Sequence, residues 1–186
     1  MKFKDAQTYA IHKFDTDEFL NDIKEEDDTM LNHLPLLKKM NEKGFITHNS
    51  QAGSKTKGIS VINNKPYLTE ERAFIEGFMS YKQAVLFLKN MNLYTDKNAV
   101  NVYISDNPKF LNSELDVPLT ITTQNNETKV ETHMPLYLPI NTINLFKKEH
   151  KINRNEDVLY VICWDPIWNR DASKKDGLFT DVFKHI

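Results

Sequence analysis

The sequence predicts an α+β protein in which mixed sheets with hairpins are surrounded by about five helices. Three features carry that reading. Helical and extended apolar patterns follow one another in irregular order, unlike the regular strand–helix alternation of a doubly wound parallel sheet. Two arms, PLTITT and ETKVETH, flank a polar Gln124-Asn125-Asn126 turn and read as a hairpin. VLYVICW, at 158–164, is a continuous apolar run of buried-strand length.

Taken in order, residues 1–28 form a polar N-terminal extension ending in the charge run KEEDD. Phe14, Phe19, Leu20 and Ile23 give it one amphipathic helix that packs on the main body, residues 29–186. Thr29 is a candidate N-cap, with Asp27 and Asp28 favourable at the positive helix end. Met30, Leu31, Leu34, Leu37 and Met40 follow at helical spacing, and Gly44 suits the C′ position. Pro35 fits only within a first turn, which moves the helix start beyond Thr29. GFITHNSQAG, at 44–53, then begins as a strand. AGSKTKG reads as a loop and ISVI as a short β segment. Thr69 caps a predicted helix with Glu70 and Glu71 in its first turn and Phe74, Ile75, Phe78 and Met79 on its buried face. Ser80 caps a further helix to about Asn92, with Ala84, Val85, Leu88 and Met91 inward. VNVYI (100–104) is a strand leading into a loop with Pro108 and Pro118. Residues 141–150 form a short helix. A last helix with Leu178, Phe179, Val182 and Phe183 inward closes the chain.

Composition narrows the function classes. The 186 residues, 40 % of them hydrophobic, suffice for a core without metal or disulfide staples. Net charge is −2 and the basic residues are interspersed with acidic ones, so neither nucleic acid nor an acidic membrane is an expected partner. Cys163 is the single cysteine, which excludes an internal disulfide and a cysteine-rich zinc cluster. With no apolar run of about 18 residues and no signal-peptide pattern at MKFKDAQTYA, a soluble cytoplasmic protein is expected.

Gly44, Gly53, Gly58, Gly77 and Gly177 compose no dinucleotide fingerprint, phosphate loop or nucleophile elbow. The six histidines never stand as HxH or HxxxH, and no metal is expected. Cys163, Asp165 and His133 have the side chains of a nucleophile, an orienter and a base. Within an apolar strand, however, Cys163 reads as an inert buried thiol.

Five hydrogen-bonding side chains in a row, Thr47, His48, Asn49, Ser50 and Gln51, are unusual for a strand that only fills a core. With Asn41, Gly44, Phe45 and Ile46 ahead of them, the run resembles the N-x-x-G-h-h-T-x-N-S-Q-P signature (h, hydrophobic) of the C-terminal regulatory domain of eukaryotic methylenetetrahydrofolate reductase. ERAFIEGFMS at 71–80 is similar to that family's Q-K-A-Y-L-E-F-F segment. The end of the chain resembles its closing strand, polar Asp-containing loop and amphipathic helix. The three matches come in the family's order over residues 27–186. Departures are Ala52 in place of the signature's proline, a shortened loop without tryptophan before residue 71, and no catalytic barrel.

The resemblance implies a non-catalytic small-molecule binding module for S-adenosylmethionine or S-adenosylhomocysteine, with no flavin, no reductase or methyltransferase activity, and a homodimeric assembly. Carried over position by position, the ligand-facing residues are Asp28, Thr29, Thr47, Ser50, Thr120 and Thr132, with Asp28 and Thr29 open to a slip of one residue. The chemistry suits such a ligand. A carboxylate would take the ammonium, hydroxyls and the Gln51 amide would fix orientation, and no cation lies in the signature to repel a sulfonium. In a regular strand Thr47 and Ser50 face opposite sides, so both serve one ligand only if the chain turns near Asn49. If they do, Thr47→Val and Ser50→Ala should each leave folding nearly intact. Two rival readings are an enzyme acting on an adenosyl compound with Asp28, His48 or His133 as acid or base, and a protein-interaction module that has lost its pocket.

Overall fold

The computed structural model describes residues 1–91, 99–103, 116–135 and 138–186. Among these, two four-stranded antiparallel sheets organise the chain. The first has the order β1 (Ile46–Gln51), β4 (Phe74–Ser80), β8 (Val158–Trp164), β5 (Ala99–Tyr103). The second runs β2 (Lys55–Ile59), β3 (Pro66–Glu71), β6 (Val117–Gln124), β7 (Glu127–Met134). Around them lie α1 (Phe3–Lys13), α2 (Asp17–Asp27), a 3-10 turn (Asp28–Asn32), α3 (Leu34–Glu42), α4 (Tyr81–Met91), α5 (Ile140–Glu149) and α6 (Leu178–His185). The α+β class is therefore as the sequence predicts. No helix among the described residues is long and apolar enough to cross a membrane.

The central strands β4 and β8 of the first sheet are covered on both faces, and they are apolar for that reason. Ile75 and Met79 of β4, with Val161 and Cys163 of β8, face a core built from α3, α4 and α6. Phe74 and Phe78, with Tyr160 and Ile162, face a second core shared with α1, α5 and the Leu119–Met134 end of the second sheet. Residues 3–27 form two helices rather than one. Ala6 and Ala10 of α1 enter the second core, whereas Phe19, Leu20 and Ile23 of α2 pack on the first.

Local chemistry sets several boundaries where the sequence placed them. Pro35 lies in the first turn of α3, so the helix begins at Leu34, and the preceding 3-10 turn is capped by Asp27, whose Oδ1 accepts from Thr29 N at 3.0 Å. Gly44 takes φ +95°, the left-handed conformation that ends α3 at little steric cost. Asn125 and Asn126 have φ of 53° and 65°, the two left-handed positions of a type I′ hairpin turn between β6 and β7.

Other expectations are overturned. Residues 69–79 are not a helix but the end of β3 and most of β4. A strand buried on both faces shows apolar residues at 74, 75, 78 and 79, which mimics helical spacing. AGSKTKG is not simply a loop, since Lys55–Ile59 pairs with β3 as β2; ISVI contributes only Ile59 to that strand before the chain turns. In α4, Ala84, Phe87 and Met91 are buried while Val85 is exposed. Pro118 lies within β6, at a register irregularity, and the expected loop around Pro108 lies outside the described residues.

Candidate functional site

β1 is the edge strand of the first sheet, and its ladder with β4 contains a bulge. Thr47 pairs with Gly77, but the next pair is Asn49 with Glu76, which leaves His48 as the extra residue. Residues directly opposite one another share a face. Thr47 opposite Gly77 and Ser50 opposite Ile75 therefore lie on one face, despite their separation of three in sequence. The bend that two-sided placement required is this bulge, centred on His48 rather than Asn49.

A cavity of about 850 Å³ follows that edge, of a size that holds a small-molecule ligand. On the α3 side it is lined by Thr47 and Ser50 with Asp27, Met30, Leu34 and Asn41. On the α5 side it meets Glu76, His48, Asn49, Gln51, Thr132 and His150. α1 and α2 supply Tyr9, Lys13, Asp22 and Glu26. Lys13 is the only lysine or arginine in this lining.

Fixed hydrogen bonds hold the two hydroxyl-bearing positions differently. Asn41, wholly buried, donates from Nδ2 to Leu37 O at 2.9 Å and to Thr47 Oγ1 at 2.8 Å, while its Oδ1 accepts from Thr47 N at 3.2 Å. The spacing Asn41–Gly44–Thr47 is thus a clamp that joins helix, C′ glycine and strand. Thr47 Oγ1 keeps its own proton to donate. Ser50 N donates to Asn49 Oδ1 at 2.9 Å, so the local turn is satisfied by Asn49, and the Ser50 hydroxyl has no partner among the described residues.

The remaining candidates separate. Gln51 Nε2 donates to Arg72 O at 3.1 Å and to Thr120 Oγ1 at 3.4 Å. Thr120 and Thr132 face each other across the β6–β7 ladder, as two arms of one hairpin should, yet only Thr132 lines the cavity. Asp28 and Thr29 stand outside the lining, and the cavity carboxylate there is Asp27, one residue earlier. Its Oδ1 also accepts from Thr29 Oγ1 at 2.6 Å, which occupies that hydroxyl.

His48 and His150 form a half-buried pair, Nδ1 to Nε2 at 3.0 Å, against Phe146 and Tyr160. Burial lowers the pKa of His48 below 6.5 and, with the neighbouring His48, brings His150 down to about 4. Glu76 is raised to about 7 by burial, against the opposing effect of hydrogen bonds with Tyr160 and Asn49. Glu76 was not legible as a site residue, because in a helix over 69–79 it would have stood on the solvent side.

The paper triad of Cys163, Asp165 and His133 does not assemble. Cys163 is fully buried in the first core, and burial pushes its thiol pKa up. Asp165 is buried beneath Arg170, whose Nη2 donates to its Oδ1 at 2.8 Å. His133 Nε2 instead lies 3.3 Å from Asp116 Oδ2. Among the described residues no group of three or more histidine, cysteine or carboxylate side chains is placed to hold a metal ion.

Fold and site together define an α+β protein with a polar, carboxylate-lined cavity along a bulged edge strand. In comparisons with known proteins, no family model and no curated sequence matches the chain.

Proposed function

We propose that this chain is a non-catalytic binding module for S-adenosylmethionine or S-adenosylhomocysteine, held in the cavity along β1. The observation that carries the reading is the bulge at His48, which turns Thr47 and Ser50 to the same face above one cavity. The ligand's requirements are matched by the groups around it. Asp27 offers a carboxylate for the ammonium, and Thr47, Ser50, Gln51 and Thr132 offer neutral donors and acceptors. Lys13 stands as the single fixed cation of the lining. The inert environment of Cys163 and the separation of His133 from it favour binding over nucleophilic chemistry.

The hydroxyls provide the test. Ser50→Ala should leave the melting temperature nearly unchanged, because Asn49 already satisfies the turn, while weakening ligand affinity roughly ten- to hundredfold. Thr47→Val should weaken binding similarly but also cost about 1 to 2 kcal/mol of stability, because Asn41 Nδ2 loses an acceptor in a buried setting. Melting curves and calorimetric titrations on the same two variants separate these effects. A Ser50→Ala protein that loses stability yet binds normally would contradict the proposal.

A homodimer belongs to the same proposal, supported by an apolar stripe of Tyr81, Val85 and Leu86 left exposed on α4. Light scattering should give about twice the chain mass of 21.8 kDa, and a mass that stays at the single-chain value up to high concentration would refute the dimer.

A further inference from the structure

Glu76 breaks the pattern of its own strand face. On the side of β4 toward the second core the residues are Phe74, Glu76 and Phe78, opposite Trp164, Ile162 and Tyr160 of β8. A carboxyl in that setting gives up hydration, a cost that an adjacent cation ordinarily offsets. Glu76 has no such cation and makes no ion pair among the described residues. Asn49, opposite it on β1, and Tyr160 on β8 are neutral neighbours that favour the ionised carboxyl but bring no positive charge. The lining also holds His48 of β1, Glu71 of β3, His133 of β7, Glu149 of α5 with His150 at its C-cap, Lys13 and Tyr9 of α1, and the carboxyls Asp22, Glu26 and Asp27 of α2. The two histidines of the half-buried pair are held toward their neutral forms. A carboxyl oriented at a cavity wall and lacking a protein cation is completed by a cation brought in by the ligand.

We infer that Glu76 is the specificity-determining residue by which the cavity selects a cationic ligand over its neutral counterpart, a sulfonium over the corresponding thioether. The inference rests on the adenosyl-ligand reading above and names its charge state. A positive sulfur near Glu76 favours the ionised carboxylate, so binding expels the carboxyl proton to solvent. The thioether supplies no such charge and should expel none. Because Glu76 titrates near pH 7 in the unliganded protein, the sulfonium should bind about tenfold more tightly at pH 7.0 than at pH 5.5.

Titration calorimetry of the whole chain with S-adenosylmethionine and S-adenosylhomocysteine, in two buffers of different ionisation enthalpy, reads this directly. At pH 7.0 about half a proton should be released with the sulfonium and close to none with the thioether. The sulfonium should also be preferred by about tenfold, and Glu76→Gln should bring that ratio close to one and remove the proton release. Two ligands bound equally, with no difference in proton release, would overturn the inference and leave the adenosyl reading standing. Binding of neither would remove both. A pH dependence that survives Glu76→Gln but disappears in His48→Asn would move the selection to the histidine pair and refute the assignment.

Discussion

Gly77→Ala is expected to lower stability by about 3 kcal/mol and to disrupt the binding edge with it. A Cβ at this position would lie 2.1 Å from Ile46 O and 2.9 Å from Thr47 Cα. Both obstacles are backbone, so no side-chain rotation can relieve the clash. Gly77 pairs with Thr47 immediately before the bulge, and the close approach of the two strands there fixes where His48 is extruded. Strand separation would cost ladder hydrogen bonds in a strand buried on both faces, and would release the placement of Thr47 and Ser50. Urea denaturation compared with wild type measures the loss. A variant within about 1 kcal/mol of wild type, binding ligand normally, would show that the bulge does not depend on this contact.

Glu76→Gln should raise stability, by an amount that grows as pH rises from 4.5 to about 7. In the folded chain the Glu76 carboxyl titrates at about 7, against an ordinary value of 4.5. The folded state therefore holds its proton more tightly than the unfolded state does. The stability associated with this group is fully present below pH 4.5 and is lost as pH rises to about 7. The loss amounts to about 3 kcal/mol at pH 8. An amide of the same shape has no charge to lose, so the variant should gain most of that at pH 8 and little at pH 4.5. His48 and His150 act in the opposite sense. Their lowered pKa values give stability that is present above 6.5 and lost as pH falls below it, for His150 toward about 4. Between pH 4.5 and 6.5 the two effects therefore oppose one another in wild type, whereas Glu76→Gln keeps only the histidine effect and should gain stability as pH rises. Melting temperatures from pH 4 to 8 test this, and parallel profiles in the two proteins would contradict the burial of Glu76.

What the sequence revealed divides along physical lines. Features fixed by local chemistry were legible. Asn125 and Asn126 tolerate the left-handed turn, Pro35 confines the start of α3, Gly44 ends it, and the apolar run of β8 requires a buried strand. Features fixed by partners distant in sequence were not. β4 has helical-looking spacing because two separate layers cover it. The bulge in β1 depends on a glycine thirty residues away on another strand. Thr47, Ser50, Gln51 and Thr132 could be picked out in the chain, but their convergence on one cavity could not. Asp27 lines the cavity whereas Asp28, the first residue of the 3-10 turn, does not, a difference of one position that the sequence left open. Asn41 was visible as part of a motif, while its role as a clamp on Thr47 emerges only from the packing of α3 beside β1.

Binding of an adenosyl ligand in the cavity along β1 can be read residue by residue in solution. The most direct measurement is the change in backbone amide resonances of the isotopically labelled chain as S-adenosylmethionine is added to saturation. Shifts should be concentrated at Thr47–Gln51, Glu76 and Thr132, with the turn at Val61 and Ile62 undisturbed. Shifts absent at millimolar ligand, or confined to residues away from β1, would contradict it.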